Sequence, residues 1–319
     1  MSISEEDKSV LRKLAEEVAE IAALPAHKKT IDMWKRLNSL ERVKPMIWIN
    51  EIPWHEMDVN DELKLQATDP FCRGIEGQLR RTIYLWKHMP GDMVVESRIY
   101  SPLAIRDTGF GIHEDVDIVR TDPRSGVVSR FFHSQIDNEK DIEKIKMPIV
   151  TYDEETSERT YQQMVDIFDG ILEVEKRGRP GMWFAPWDEL IRWWGVEKAM
   201  LDLALRPELV HKAMERLITA YLSRLDQLEE LNLLSLNNNN VRVGSGGVGY
   251  TDELPQDDFN PEHVRPIDLW GCATAQIFSE VSPKMHEEFA LQYERRWLDR
   301  FGLTYYGCCE PLDIKMGIL

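Results

Sequence analysis

Cysteine is scarce in this 319-residue chain. Cys72, Cys272, Cys308 and Cys309 are too few and too unevenly placed for the disulfide framework of a small secreted fold. They point to a reducing, cytoplasmic setting. Long hydrophobic runs are also missing: no stretch approaches the ~18 apolar residues of a membrane span. The opening SISEEDKS lacks the basic and apolar regions of a signal peptide. Positive charge is in deficit, with 39 basic against 56 acidic side chains and a formal charge of -17, which repels nucleic acid and anionic membranes. No GxGxxG or GxxxxGK[ST] follows the first strand, which removes the usual reason to expect a dinucleotide or nucleotide fold. What remains is an ordinary globular composition, 43% apolar, sufficient for one large domain or two smaller ones.

The apolar pattern alternates between the two regular periods. Val10, Leu11, Leu14, Val18 and Ile21 recur at helical spacing after a Ser4 cap, and a second helix is expected over 27–40. Short apolar runs at 45–50, 93–96, 182–185, 233–236, 268–276 and 303–308 read as strands. Helical segments at 61–88, 154–177, 190–205, 207–231 and 283–301 separate them, with Pro207 suited to a first helical turn. Between about 100 and 148, Val116–Val119 and Val127–Phe132 flank a Pro-Arg-Ser-Gly turn, which predicts a hairpin insertion lying over the strand ends as a partial lid. Alternation of this kind implies parallel strands, either closed into a barrel or open and doubly wound. The expectation is a (β/α)8 TIM barrel over 45–319 behind N-terminal helices at 1–44. The six strand units fall two short of eight, so two βα units are expected to be missing.

Several segments resemble the uroporphyrinogen decarboxylase superfamily, which includes zinc-dependent methyltransferases serving corrinoid proteins. They are Pro45-Met-Ile-Trp48, Trp194-Gly-Val-Glu-Lys-Ala-Met, Arg206-Pro-Glu-Leu-Val210, Val281-Ser-Pro283 with Glu287-Glu-Phe289, and Thr304-Tyr-Tyr-Gly-Cys-Cys-Glu-Pro311. The arginine pair that grips substrate carboxylates in the family's decarboxylases is absent, the segment reading Ile49-Asn-Glu-Ile-Pro-Trp-His-Glu56. Its loss turns the expectation towards the methyltransferase branch, because buried carboxylates need cationic partners. In that branch the resemblance places Tyr306 at a histidine ligand position and Cys308 at a cysteine ligand position. It implies a zinc ion held by Cys308 and Glu310, with His133 as a possible third ligand, and Cys308, Glu310 and Tyr306 as catalytic residues. The reaction implied moves a methyl group between a small-molecule donor or acceptor and a corrinoid on a partner protein, zinc acting as Lewis acid. A porphyrin-pathway decarboxylase and a non-catalytic barrel are the alternatives.

Other candidates rest on position. Asn237 and Asn239, in a run of four asparagines after a strand, could present amides to a substrate or simply form a turn. Gln276, Asn50 and Glu96 sit at strand ends as possible polar contacts, and Trp48 could wall an apolar pocket. For His133 and Glu96 a solvated or hydrogen-bonded role competes with ligation. Gly244-Ser-Gly-Gly-Val-Gly249 does not open a helix and reads as a flexible loop rather than a phosphate cradle.

Overall fold

A computed structural model describes residues 3–57, 60–123 and 126–319. In chain order the helices begin with α1 (Glu5–Ala22), α2 (Ala26–Asn38), α3 (Trp54–Met57) and α4 (Pro70–His88). There follow β1 (Arg98–Pro102), β2 (Ile105–Asp107), β3 (Val116–Val119), β4 (Ser129–Phe132), α5 (Glu139–Ile142) and β5 (Val150–Tyr152). Next come α6 (Glu154–Phe168), β6 (Glu173–Arg177), β7 (Trp183–Phe184), α7 (Pro186–Trp194), α8 (Val196–Leu205) and α9 (Pro207–Glu230). The last are β8 (Arg242–Val243), β9 (Gly247–Val248), β10 (Trp270–Ala273), α10 (Pro283–His286), α11 (Gln292–Leu298) and β11 (Leu303–Tyr306). Among the described residues no helix is long and apolar enough to cross a membrane.

The chain divides into two compact units. The first holds residues 1–104 and 153–177. Two of its helices start at side-chain caps: in α1 Ser4 Oγ accepts from Asp7 N, and in α4 Asp69 accepts from Phe71 N and Cys72 N ahead of Pro70. The apolar faces of α1, α4 and α6 meet in a core of Leu11, Val18, Leu79, Ile83, Met164 and Phe168. There β1 and β6 pair in parallel, Arg98 opposite Glu173.

The second unit holds residues 105–152 and 178–319. A three-stranded parallel sheet in the order β11-β10-β7 carries its organisation. Between β10 and β11 the chain passes through α10, a π turn at Glu287–Leu291 and α11. Phe184 and Ala273 point to the helices: the Phe184 ring stacks on Trp297 at 4.8 Å and meets Tyr221 edge-on at 4.9 Å. The strands β3 and β4 form an antiparallel hairpin, while part of its expected turn, Arg124 and Ser125, lies outside the described residues.

The barrel expectation is overturned. Among the described residues the sheets have only two or three strands, and no eight-stranded parallel barrel is present. Residues 45–50 form no strand, because Asp92 takes the place of a neighbouring strand: its backbone N–H donates to Ile47 O and its carboxylate accepts Ile47 N–H. Residues 93–96 are likewise not a strand, and β1 begins at Arg98. At 233–236 only a parallel bridge between Leu234 and Arg179 forms. The helix expected over 154–177 stops at Phe168, where Asp169 and a left-handed Gly170 (φ 76°) end it, and β6 follows.

Buried Glu76 ties the first unit together, accepting the backbone N–H groups of Gln66 (2.9 Å) and Ala67 (2.8 Å) and the Arg80 Nε–H (2.7 Å). Glu76→Ala would strand these donors, at a cost of about 3–5 kcal/mol. Urea denaturation should therefore show a large loss of stability, with Glu76→Gln intermediate. Unchanged unfolding midpoints would refute this role.

Candidate functional site

Strand alternation sends Trp183, Cys272 and Tyr305, which are register partners, to the sheet face opposite Phe184 and Ala273. On this face a cavity of about 430 Å³ opens, lined by Trp183, Trp270, Cys272, Asn237, Arg242 and Gly244 among others. Trp270 is fixed from two directions. Asn237 exchanges two 2.9 Å hydrogen bonds with its backbone, as a strand neighbour would, and the Trp270 indole donates to Gly249 O at 3.0 Å. Arg242 Nε donates to Gly244 O at 2.8 Å. The Tyr305 ring lies where a side chain at Gly244 or Gly246 would stand, so both positions require glycine. Burial pushes the Tyr305 hydroxyl up, and nearby Cys308, Glu310 and Cys272 push it further.

Beyond β11 the chain turns back over the end of β10, held by one carboxylate. Buried Glu310 accepts from Thr274 Oγ1 at 2.8 and 2.9 Å, from Ala275 N at 3.0 Å and from Cys308 N at 2.9 Å. Cys308 and Cys309 are exposed on this loop, their Sγ atoms 3.5 Å apart. The zinc set expected from Cys308, Glu310 and His133 is not assembled. Both Glu310 oxygens are engaged by protein donors, and His133 Nε2 pairs with Asp117 at 2.9 Å on the β3–β4 hairpin. Among the described residues no three His, Cys, Asp or Glu side chains gather as a metal site. The residues present do not fit a zinc centre of three protein ligands.

Tyr306 points away from the cavity, into a buried polar chain. Lys315 Nζ donates to Phe278 O at 2.5 Å and lies 3.1 Å from His286 Nδ1. His286 Nε2 is 2.6 Å from the Tyr306 hydroxyl, which donates to Glu294 at 2.6 Å. Burial lowers the His286 pKa to about 4, so the ring is neutral near pH 7. A neutral ring that accepts from Lys315 at Nδ1 carries its proton on Nε2, which sets one donor direction from Lys315 through His286 and Tyr306 to Glu294. Burial raises Glu294 to about 8 against the Tyr306 hydrogen bond, and it raises the Tyr306 hydroxyl too.

Asp188 stands in the first turn of α7, directly after β7. It accepts a 2.6 Å hydrogen bond from Gln276 Nε2. Burial raises its pKa, outweighing Gln276, Arg192 and the cavity-lining Trp183, which lower it. Gln276 thus serves Asp188, and Asn237 serves Trp270. Asn239 Nδ2 is 3.4 Å from Leu236 O, within its own turn. Trp48, Asn50 and Glu96 belong to the first unit, where Asn50 donates to Glu51 at 2.6 Å and Glu96 accepts from Tyr100 at 3.5 Å. Sequence reasoning passed over Asp188, Arg242, His286 and Glu294. The strand-end position of Asp188, just past Pro186, was the available signal.

Glu294 links protonation to stability. The folded carboxyl keeps its proton up to about pH 8 whereas the unfolded one releases it near 4.5, so stability held below 4.5 is lost progressively as pH rises to about 8. Glu294→Gln keeps an acceptor for Tyr306 but cannot ionise. Its stability relative to the parent protein should rise across that window in denaturation measured at several pH values, and a constant difference would contradict the assignment. Comparisons of the chain with protein-family models, with curated proteins and with solved structures find no match.

Proposed function

We propose that the chain is an enzyme that binds a small planar acid in the cavity of the second unit and removes its carboxylate as carbon dioxide. The observation that carries this reading is a cavity lined by two indoles and a guanidinium, one of whose indoles, Trp183, hydrogen-bonds Asp188, a carboxyl whose pKa burial raises. Trp183 and Trp270 suit a flat ring system, and Arg242 suits an anionic substituent. In the reaction the C–C bond to the carboxylate breaks, carbon dioxide leaves, and the electron pair stays on a conjugated substrate carbon. Protonated Asp188 delivers a proton to that carbon and is reprotonated from water. The raised pKa favours the acid form needed for this step.

A second reading keeps the methyl transfer implied by the sequence resemblance, between a small molecule and a corrinoid-binding partner in the cytoplasm. The exposed Cys308 and Cys309 thiols support it, since a methyl acceptor must be reachable from outside. No step is assigned to zinc, because its three ligands are not brought together.

Incubation with a panel of carboxyl-labelled aromatic and heteroaromatic acids separates the two. Carbon dioxide release is expected, with Asp188→Asn lowering kcat about 10²–10⁴-fold at little change in KM. Arg242→Met should raise KM roughly tenfold to a hundredfold, the loss of one charge-assisted hydrogen bond. Absence of labelled carbon dioxide from every acid, or full activity in Asp188→Asn, would overturn the decarboxylase reading. Methyl transfer from an added methylamine or methyl thioether donor to a cob(I)alamin acceptor, with release of the demethylated amine or thiol, would favour the second.

A further inference from the structure

We propose that Cys308 and Cys309 form a redox couple, closing to a disulfide between adjacent residues when a peroxide oxidises them and reopening with a small thiol. The proposal is independent of the reaction assigned to the cavity. Three observations carry it. The two Sγ atoms already lie 3.5 Å apart, so bond formation needs a small approach rather than a rearrangement of the fold. Both thiols are exposed, whereas Cys72 is buried and Cys272 lies against the sheet face, its Sγ 3.4 Å from Met182 O. Burial pushes the Cys72 thiol up to about 11 and raises Cys272 as well; the hydrogen bond with Cys308 raises Cys309 too, so exposure and spacing rather than acidity set the pair apart. Finally, the pair is presented on a fixed base, because Glu310 clamps Cys308 N, Thr274 and Ala275 together.

The chemistry balances in two steps. A thiolate of the pair attacks hydrogen peroxide, breaking the O–O bond to give a sulfenic acid and hydroxide. The neighbouring thiol then attacks that sulfur, forming the S–S bond and releasing water, so that one peroxide and two thiols give one disulfide and two waters. Adjacent Cα atoms are ~3.8 Å apart, below the ~4.4–6.8 Å usual for disulfides. The ring is therefore strained, and strained disulfides are the readily reduced, regulatory kind. A couple of this type senses oxidant and resets; it does not staple the fold.

The test uses the full chain. After brief exposure to a few equivalents of hydrogen peroxide, the protein is alkylated under denaturing conditions, digested with trypsin and weighed. The expected product is the peptide spanning 301–315 lighter by two hydrogens, with no added oxygen and no alkyl group, and returned to the dithiol by millimolar glutathione. Cys72 and Cys272 should be alkylated in full. Cys308→Ser and Cys309→Ser should each leave a single thiol that accumulates sulfenic and sulfinic acid under the same exposure, since the resolving partner is gone. Sulfinic acid in the parent protein, disulfide-linked dimers, an unreacted peptide, or a disulfide that resists glutathione would each overturn the proposal.

Discussion

One carboxylate, Glu310, holds the end of the parallel sheet in the second unit. Its three donors are Thr274 Oγ1, shared between both oxygens, and Ala275 N just past β10, and Cys308 N, the second residue of the loop after β11. Without it two strands could pair while their exits diverged. Hydrogen bonds to an ionised acceptor are the stronger kind, each worth about 1.5–3 kcal/mol. Such a cluster, with Leu312 lying over Gly307, can fix the loop. The position of Cys308, and with it that of the adjacent Cys309, follows from it.

The interior of this unit is built around polarity that the fold neutralises. Lys315, His286, Tyr306 and Glu294 would be prohibitive as four separate buried polar groups, yet in series Lys315, His286 and Tyr306 each donate to the next, and the chain ends at Glu294 Oε1, which has no hydrogen-bond partner among the described residues. The π turn at Glu287–Leu291 adds one residue to the helical path between His286 and Glu294. Tyr306 from β11 reaches both side chains. The cavity face of the sheet carries the opposite character, with indoles and a thiol against a solvent-facing opening.

How much of this was legible in the sequence depends on the range of the interaction that decides it. Helix starts are local events, and Ser4 and Pro207 mark the beginnings of α1 and α9 as expected, whereas the helix expected from 61 begins only at Pro70, behind the Asp69 cap. The helix stop at Gly170 is missed when the helix is carried on to 177, which hides β6, whose Glu-Val-Glu-Lys-Arg sequence offers little apolar signal. Residues 45–50 have the hydrophobicity of a strand but lack a strand to pair with, a fact set by Asp92 far along the chain. Strand counting then propagated these errors into a barrel. At the site, the loop after β11 could be found by reading along the chain. The role of Glu310 could not, because its donors Thr274 and Ala275 lie more than thirty positions away. Buried Glu294 and Lys315 were invisible for a different reason: charge reads as solvent exposure unless the partners are known.

The threading of the chain through the two units bears on how the protein emerges from the ribosome. The first unit is interrupted by residues 105–152, and the strand pair at its centre joins β1 to β6. Arg98 must wait for Glu173, about 75 residues later, which at ~5–20 residues per second is roughly 4–15 s of synthesis. Throughout that interval β1 has an open edge beside an apolar core lacking α6, the exposure that invites mispairing between nascent chains. The charges that mask β6 from sequence reading then gain a second meaning. Arg98, the one charge on β1, meets Glu173 and Glu175 of β6 at 3.5 and 2.7 Å, whereas two waiting copies of β1 paired in register would set Arg98 against Arg98, so that like charge opposes that mispairing where opposite charge favours the native one.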